Sequence, residues 1–302
     1  MCFTTTITRF WALAFLGCLI LSRPLWADDR ADSQRLLLSI KQATLSQQVA
    51  KASCFVGLAF EQDKNLSALK QNIAQFEDTY RQIASNPDNA YLLATLKEFS
   101  PIWERILFAT SLTLETPNLP GVDIDMMGAL NDALLQKAKH VVQATYDNMQ
   151  KSPFLNTVRH IAELGLLSQQ STKEFCYVTY GLFTALHRQS LQKSVAAFDT
   201  ALNDLIDGNL DHEIIPAPND EILMNLYQVR TQWLVMRPIL MGVSEGALPN
   251  HKDLETITSL NTALLDLSDE ISTLFVTAYE DYKNQETAPN EKDGKKTRAK
   301  KK

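Results

Sequence analysis

What this chain of 302 residues has little of limits it first. Runs of β-branched residues in period-two alternation are absent, which argues against a sheet protein. Apolar runs of spanning length are absent as well. A membrane-crossing helix needs about 20 apolar residues, and the longest apolar stretch, residues 10–22, has 13. Histidine is confined to His140, His160, His187, His212 and His251. None has a glutamate three residues before it, so the Glu-x-x-His pairs of di-iron bundles are missing. None has a counterpart histidine in the repeat described below, so scattered surface or capping roles are expected. No Cys-x-x-Cys-His is present to attach haem covalently. The reading therefore assigns no cofactor and no metal ligand, and a haem or metal carrier stands last among the alternatives. Positive charge is scarce in the body. The chain carries −6, residues 1–27 carry +2 and residues 291–302 carry +5, which leaves −13 on residues 28–290. So acidic a body does not suit nucleic acid. One hydrolase-like pattern occurs, Gly242-Val243-Ser244-Glu245-Gly246. That motif acts on a strand-turn-helix elbow, and here it follows a helix. No catalytic residue is assigned, and the chain is not expected to be an enzyme.

What is present begins with a leader. Arg9, the apolar stretch, Arg23-Pro24 and Ala27 before Asp28-Asp29 have the layout of an export signal peptide over residues 1–27. An uncleaved membrane anchor is the alternative. Cys18 follows Leu16-Gly17, but Phe15 and the continuing apolar run argue against lipidation. The expected location is the periplasm. At the other end, residues 287–302 form a Lys-rich tail expected to be disordered and solvated. Its sharper use is electrostatic contact with anionic membrane or envelope. Outside the leader only Cys54 and Cys176 remain, and an oxidising compartment allows such a pair to bond.

The chain is also written twice. Residues 45–56 return as residues 167–178 with seven of twelve positions identical, at an offset of 122. Leu69, Ala74 and Phe76 match Leu191, Ala196 and Phe198. The offset then grows to 130, where Leu93, Leu96 and Trp103 fall on Leu223, Leu226 and Trp233. Leu130-Asn131 likewise falls on Leu260-Asn261. A period of this size is that of a domain. Helical periodicity is nearly continuous, and predicts helices near 31–61, 66–85, 90–114 and 123–150, then 153–183, 187–207, 219–242 and 251–284. The expected fold is all-α: two tandem up-down-up-down four-helix bundles, residues 28–151 and 152–286, formed by duplication. Ser152-Pro153, an N-cap followed by a proline at the first helical position, predicts a tight turn that sets the bundles side by side. An end-to-end stack is the alternative.

Two stretches carry a family resemblance. Leu45-Ser46-Gln47-Gln48-Val49-Ala50-Lys51 resembles the Leu-Ser-Gln-Arg-Met-Ala-Lys signature of the PilJ-like N-terminal domain of type IV pilus methyl-accepting chemotaxis transducers. That domain is related to the NarX-like nitrate sensors. Asp207-Gly208, Pro216-Ala217-Pro218, Trp233 and Arg237-Pro238 resemble the same family's loop and the helix after it. The resemblance implies an extracytoplasmic four-helix sensory bundle. In the nitrate sensors an arginine from each of two first helices grips the anion. Carried over by position, it falls on Ala43 and Gly165, which have no side-chain donor, and nitrate is not expected to bind there. The signature's own arginine is replaced by Gln48 and Gln170.

The candidate ligand-binding residues follow from the repeat. Ala43, Gln47, Ala50 and Cys54 lie on one helix face, as do Gly165, Gln169, Thr172 and Cys176. This stripe either packs inside its own bundle or forms the seam between bundles. As a seam it would bring Gln47 and Gln169 face to face, flanked by Ser46 and Ser168, with Lys51 and Lys173 as the nearest repeated cations. Paired amides can serve a polar ligand or only each other. A solvated surface position is the plain reading of each lysine. If the first and fifth helices run parallel and adjacent, Cys54 and Cys176 meet. Otherwise they are two separate buried thiols. The function expected is an exported sensory or ligand-binding module for a small polar ligand, without its own transmitter. The alternative is a structural protein docking on an envelope sensor or pilus-associated partner.

Overall fold

The computed structural model describes residues 26–85, 90–115 and 122–287. Residues 1–25 of the expected leader, and residues 288–302 of the basic tail, lie outside them. The described residues form eight helices and no strand: α1 (Trp26–Gly57), α2 (Gln62–Ala84), α3 (Ala90–Glu115), α4 (Val122–Asp147), α5 (Pro153–Tyr180), α6 (Thr184–Asp207), α7 (Asp220–Glu245) and α8 (His251–Thr287). None is long and apolar enough to cross a membrane.

Contacts sort the helices into two sets of four, and the sets lie side by side. Within the first, α1 packs on α2 and α4, and α3 packs on α4; the second repeats this with α5 on α6 and α8, and α7 on α8. The closest association joins α1 to α5. Ile40 and Ala162 line one groove at one level, and Cys54 meets Cys176 at another. These helices therefore run parallel and in register at the sequence offset of 122. They are central to the molecule. Residues 52–56 of α1 and 171–178 of α5 are buried without interruption, so all faces are covered and little amphipathic pattern survives. Most of their serines and threonines are tolerated because they bond back to their own helix, as Ser39 does to Leu36 O at 2.7 Å and Thr44 to Ile40 O at 3.0 Å.

Each outer corner repeats one aromatic contact. Phe76 stacks on Trp103 at 3.7 Å between centroids, and Phe198 stacks on Trp233 at 3.9 Å. Both tryptophans are buried core anchors. Ser152 Oγ accepts from Leu155 N at 3.2 Å and Pro153 opens α5. Asn250 and Asp253 cap α8 reciprocally. The Gly242–Gly246 motif ends α7, with Gly246 in a left-handed C-cap at φ 112°, so no nucleophile elbow forms there.

Several helix ends move by three to five residues relative to the sequence reading, and those of α1 and α5 have a local cause. α1 ends at Gly57 and α5 at Tyr180, a few residues early. Ala59 and Glu61 in the first turn, and Gly181 and Phe183 in the second, take positive φ. These tight turns use no proline and, in the first turn, no glycine, so the usual punctuation is missing.

Candidate functional site

The α1–α5 seam is held by a disulfide and a buried polar layer. Cys54 and Cys176 are bonded, with Cα atoms 6.2 Å apart, inside the usual range for such a bond. About two helical turns away, two asparagines tie outer helices to the central ones. Asn131 on α4 donates to Ser46 O, and Asn261 on α8 donates to Ser168 O, each at 3.0 Å. Both asparagines are fully buried.

The lysines cross the seam in exchange. Lys51 of α1 donates from Nζ to Gln169 Oε1 on α5 and to Asn261 Oδ1 on α8, both at 2.6 Å. Lys173 of α5 donates to Asn131 Oδ1 on α4 at 3.0 Å. Each lysine thus reaches the asparagine of the opposite set. Each asparagine is oriented by the carbonyl it already serves. The surface reading of these lysines is corrected: Lys173 is 0 % exposed and Lys51 is half-buried. Helical periodicity could not reveal this, because the covering elements come from the other half of the chain.

The two lysines differ in their counter-charges. Lys173 pairs with Glu174 at 2.7 Å and Asp132 at 3.2 Å. Glu174 also holds His187 Nδ1 at 2.5 Å, and His187 lies against Tyr177. Burial raises the Tyr177 hydroxyl well above its ordinary pKa. His187 corrects the expectation of surface histidines, being 1 % exposed. Lys51 has only the two neutral amide oxygens. Burial, and then the charge of nearby Lys64, lowers its pKa to about 7. Beside it opens a pocket of about 150 Å³, lined by Lys51, Gln169, Lys64, Asn65, Ala52 and Thr262 among others.

The remaining candidates are drawn in less directly. Gln47 and Gln169 do not pair as drawn from the sequence. Gln47 donates to Ser46 Oγ at 3.0 Å and leaves Oε1 without a partner, while Gln169 accepts from Lys51. The Ser46 and Ser168 hydroxyls turn back to Ala43 O and Gly165 O at 2.6 and 2.8 Å. Ala43 is fully buried, and a Cβ on Gly165 would lie 3.2 Å from Leu265. Neither position can present a donor to an anion. Sequence reasoning missed Asn131, Asn261, Asp132, Glu174 and His187. The asparagines had a signal, as polar residues repeated inside an apolar frame.

Two wider grooves, each about 550 Å³, flank the seam at equivalent positions. One holds Lys41 and Asp269; the other holds Glu163 and Lys139, with the charges interchanged. Burial raises the Asp269 pKa against the pull of Lys41, and lowers that of Lys139 against Glu163. Among the described residues, no three His, Cys, Asp or Glu side chains converge as a metal site would require.

No curated protein and no solved structure matches the chain. One family model does: the type IV pili methyl-accepting chemotaxis transducer N-terminal domain, PilJ, matches residues 163–261, from within α5 into α8 and across the Lys173 and Asn261 positions.

Proposed function

We propose that this protein is an exported, non-enzymatic sensory or ligand-binding module of the chemotaxis-transducer type, built by duplication of one four-helix unit. The observation that carries this reading is the α1–α5 seam. There Lys51 and Lys173 cross between the two halves, one with its charge compensated and one beside an open pocket. A site shared by both halves lets a ligand act on their relation, which is what a sensory input requires. The disulfide supports an oxidising compartment, and the layout of residues 1–27 supports export. The chain would report to a separate envelope partner. Nitrate is not its ligand through the nitrate-sensor position, because Ala43 and Gly165 occupy it. Thermal-shift measurements on the oxidised protein against small anions, amino acids and organic acids test the reading. Saturable stabilisation by one class supports it. Uniform indifference, with a protein co-purifying from the envelope, supports the second reading instead.

That second reading is a docking protein, and one observation favours it. Met224, Tyr227, Leu234 and Val235 on α7 are 57 %, 41 %, 61 % and 50 % exposed. Their spacing places them along one outward face.

A further inference from the structure

The two halves give an internal comparison at the seam. At the offset of 122, Ala52 corresponds to Glu174 and Asn65 to His187; at 130, Thr262 corresponds to Asp132. Around Lys173, Glu174 from α5 and Asp132 from α4 supply two carboxylates. Glu174 and His187 are each 1 % exposed, and the space is filled. Around Lys51, the positions of both carboxylates and of the histidine are taken by Ala52, Thr262 and Asn65. All three line the pocket beside Lys51. The charge kept on the lysine has lost its partners, and their volume has become open space.

We infer that this pocket binds a small carboxylate, which takes the place that Glu174 holds beside Lys173 in the other half. This rests on the ligand-binding reading above and deepens it. One oxygen would accept from Lys51 Nζ, whose bonds to Gln169 and Asn261 leave a third proton free to donate. The Asn65 amide already donates to Phe60 O and Glu61 O, and the Thr262 hydroxyl to Thr258 O, so Lys51 is the principal donor, with the Gln48 and Asn72 amides also in the lining. Lys64 adds a second positive charge, which is partly engaged with Glu61 at 2.7 Å. Burial makes a charge-assisted bond to Lys51 stronger than it would be in water. The site lies about two helical turns along α1 from Ala43 and uses different residues. A pocket of about 150 Å³ limits the ligand to a few heavy atoms, or to the acid end of a longer molecule.

The test uses the full oxidised chain and sodium acetate, with sodium chloride at equal ionic strength as the control. Calorimetry should show saturable acetate binding and none for chloride. Ala52→Glu rebuilds the second half's carboxylate inside the pocket and should abolish acetate binding while raising the melting temperature. Lys51→Met should abolish it as well, and Lys41→Met, in the neighbouring groove, should leave it unchanged. If Ala52→Glu fails to fold, Thr262→Asp serves the same purpose. On the wild type alone, ¹³C NMR of the lysine ε-carbons should show acetate moving the Lys51 titration to higher pH. Absence of saturation, binding that survives both Ala52→Glu and Lys51→Met, or an unmoved Lys51 titration would overturn the inference. If acetate fails while another ligand class stabilises the protein, the carboxylate site falls and the sensory reading stands.

Discussion

Lys51 is the residue whose chemistry departs furthest from its sequence context. Its pKa is lowered from 10.5 to about 7, so between these values the folded chain holds fewer protons here than the unfolded chain. Stability should therefore rise as pH increases across that window, and the full penalty should persist below it. Denaturant unfolding at several pH values should show this rise in the wild type and a flatter profile in Lys51→Met. The difference between the two profiles isolates this group from other lysines. Gln42 makes a second case. It is fully buried, and both its side-chain oxygen and nitrogen are without partners. The equivalent position in the second half is Leu164. Gln42→Leu should stabilise the protein by about 1–2 kcal/mol, because it removes an unmet desolvation cost. Urea midpoints of the two proteins check this.

At the scale of elements, α5 depends on the Lys173–Glu174–His187 cluster more than any exposed ion pair would suggest. Glu174→Ala leaves a fully buried lysine with Asn131 and the half-exposed Asp132, and leaves His187 Nδ1 unpartnered. The loss should be about 3–5 kcal/mol, the range for removing one partner from a buried pair, measurable by chemical denaturation. Replacing exposed Lys137, paired with Glu98 on the surface of α4 and α3, should change stability by less than about 1 kcal/mol. Helix existence was legible from composition and periodicity, and all eight helices occur where these placed them. The ends of α1 and α5 were less legible. Their turns rely on positive φ at Ala59, Glu61 and Phe183, residue types that carry no turn signal. Polar residues inside α1 and α5 also misled, because bonds back to the preceding turn let Ser and Thr sit in a buried helix.

For the whole molecule, the disulfide joins the two halves at one point along their longest shared contact. It closes a loop of 122 residues. The chain-entropy model gives such a loop about 5 kcal/mol of stabilisation. The double variant Cys54→Ser, Cys176→Ser should therefore melt well below the oxidised wild type. Reducing agent should lower the wild-type melting temperature towards that of the variant and leave the variant unmoved. Far-ultraviolet circular dichroism at low temperature should stay helical in both, because the hydrophobic core that runs through both sets, including the two Phe–Trp stacks, does not depend on the bond.

By itself the sequence determined the all-α class, the positions of the helices and the correspondence of positions 122 and 130 residues apart. These are local or periodic properties, set by helix propensity and by which face is apolar. Whether Cys54 would meet Cys176 was left open, since two matching thiols fit side-by-side bundles and stacked ones would keep them apart. Tertiary structure decided it by laying α1 along α5. It also decided that Lys51 and Lys173 are interior groups, because what covers a helix depends on elements more than 100 residues away in the chain. The difference between their surroundings came last. Ala52 against Glu174 and Thr262 against Asp132 are ordinary substitutions in a line of letters. They become an open pocket and a filled one only when the packed helices bring one pair to Lys51 and the other to Lys173.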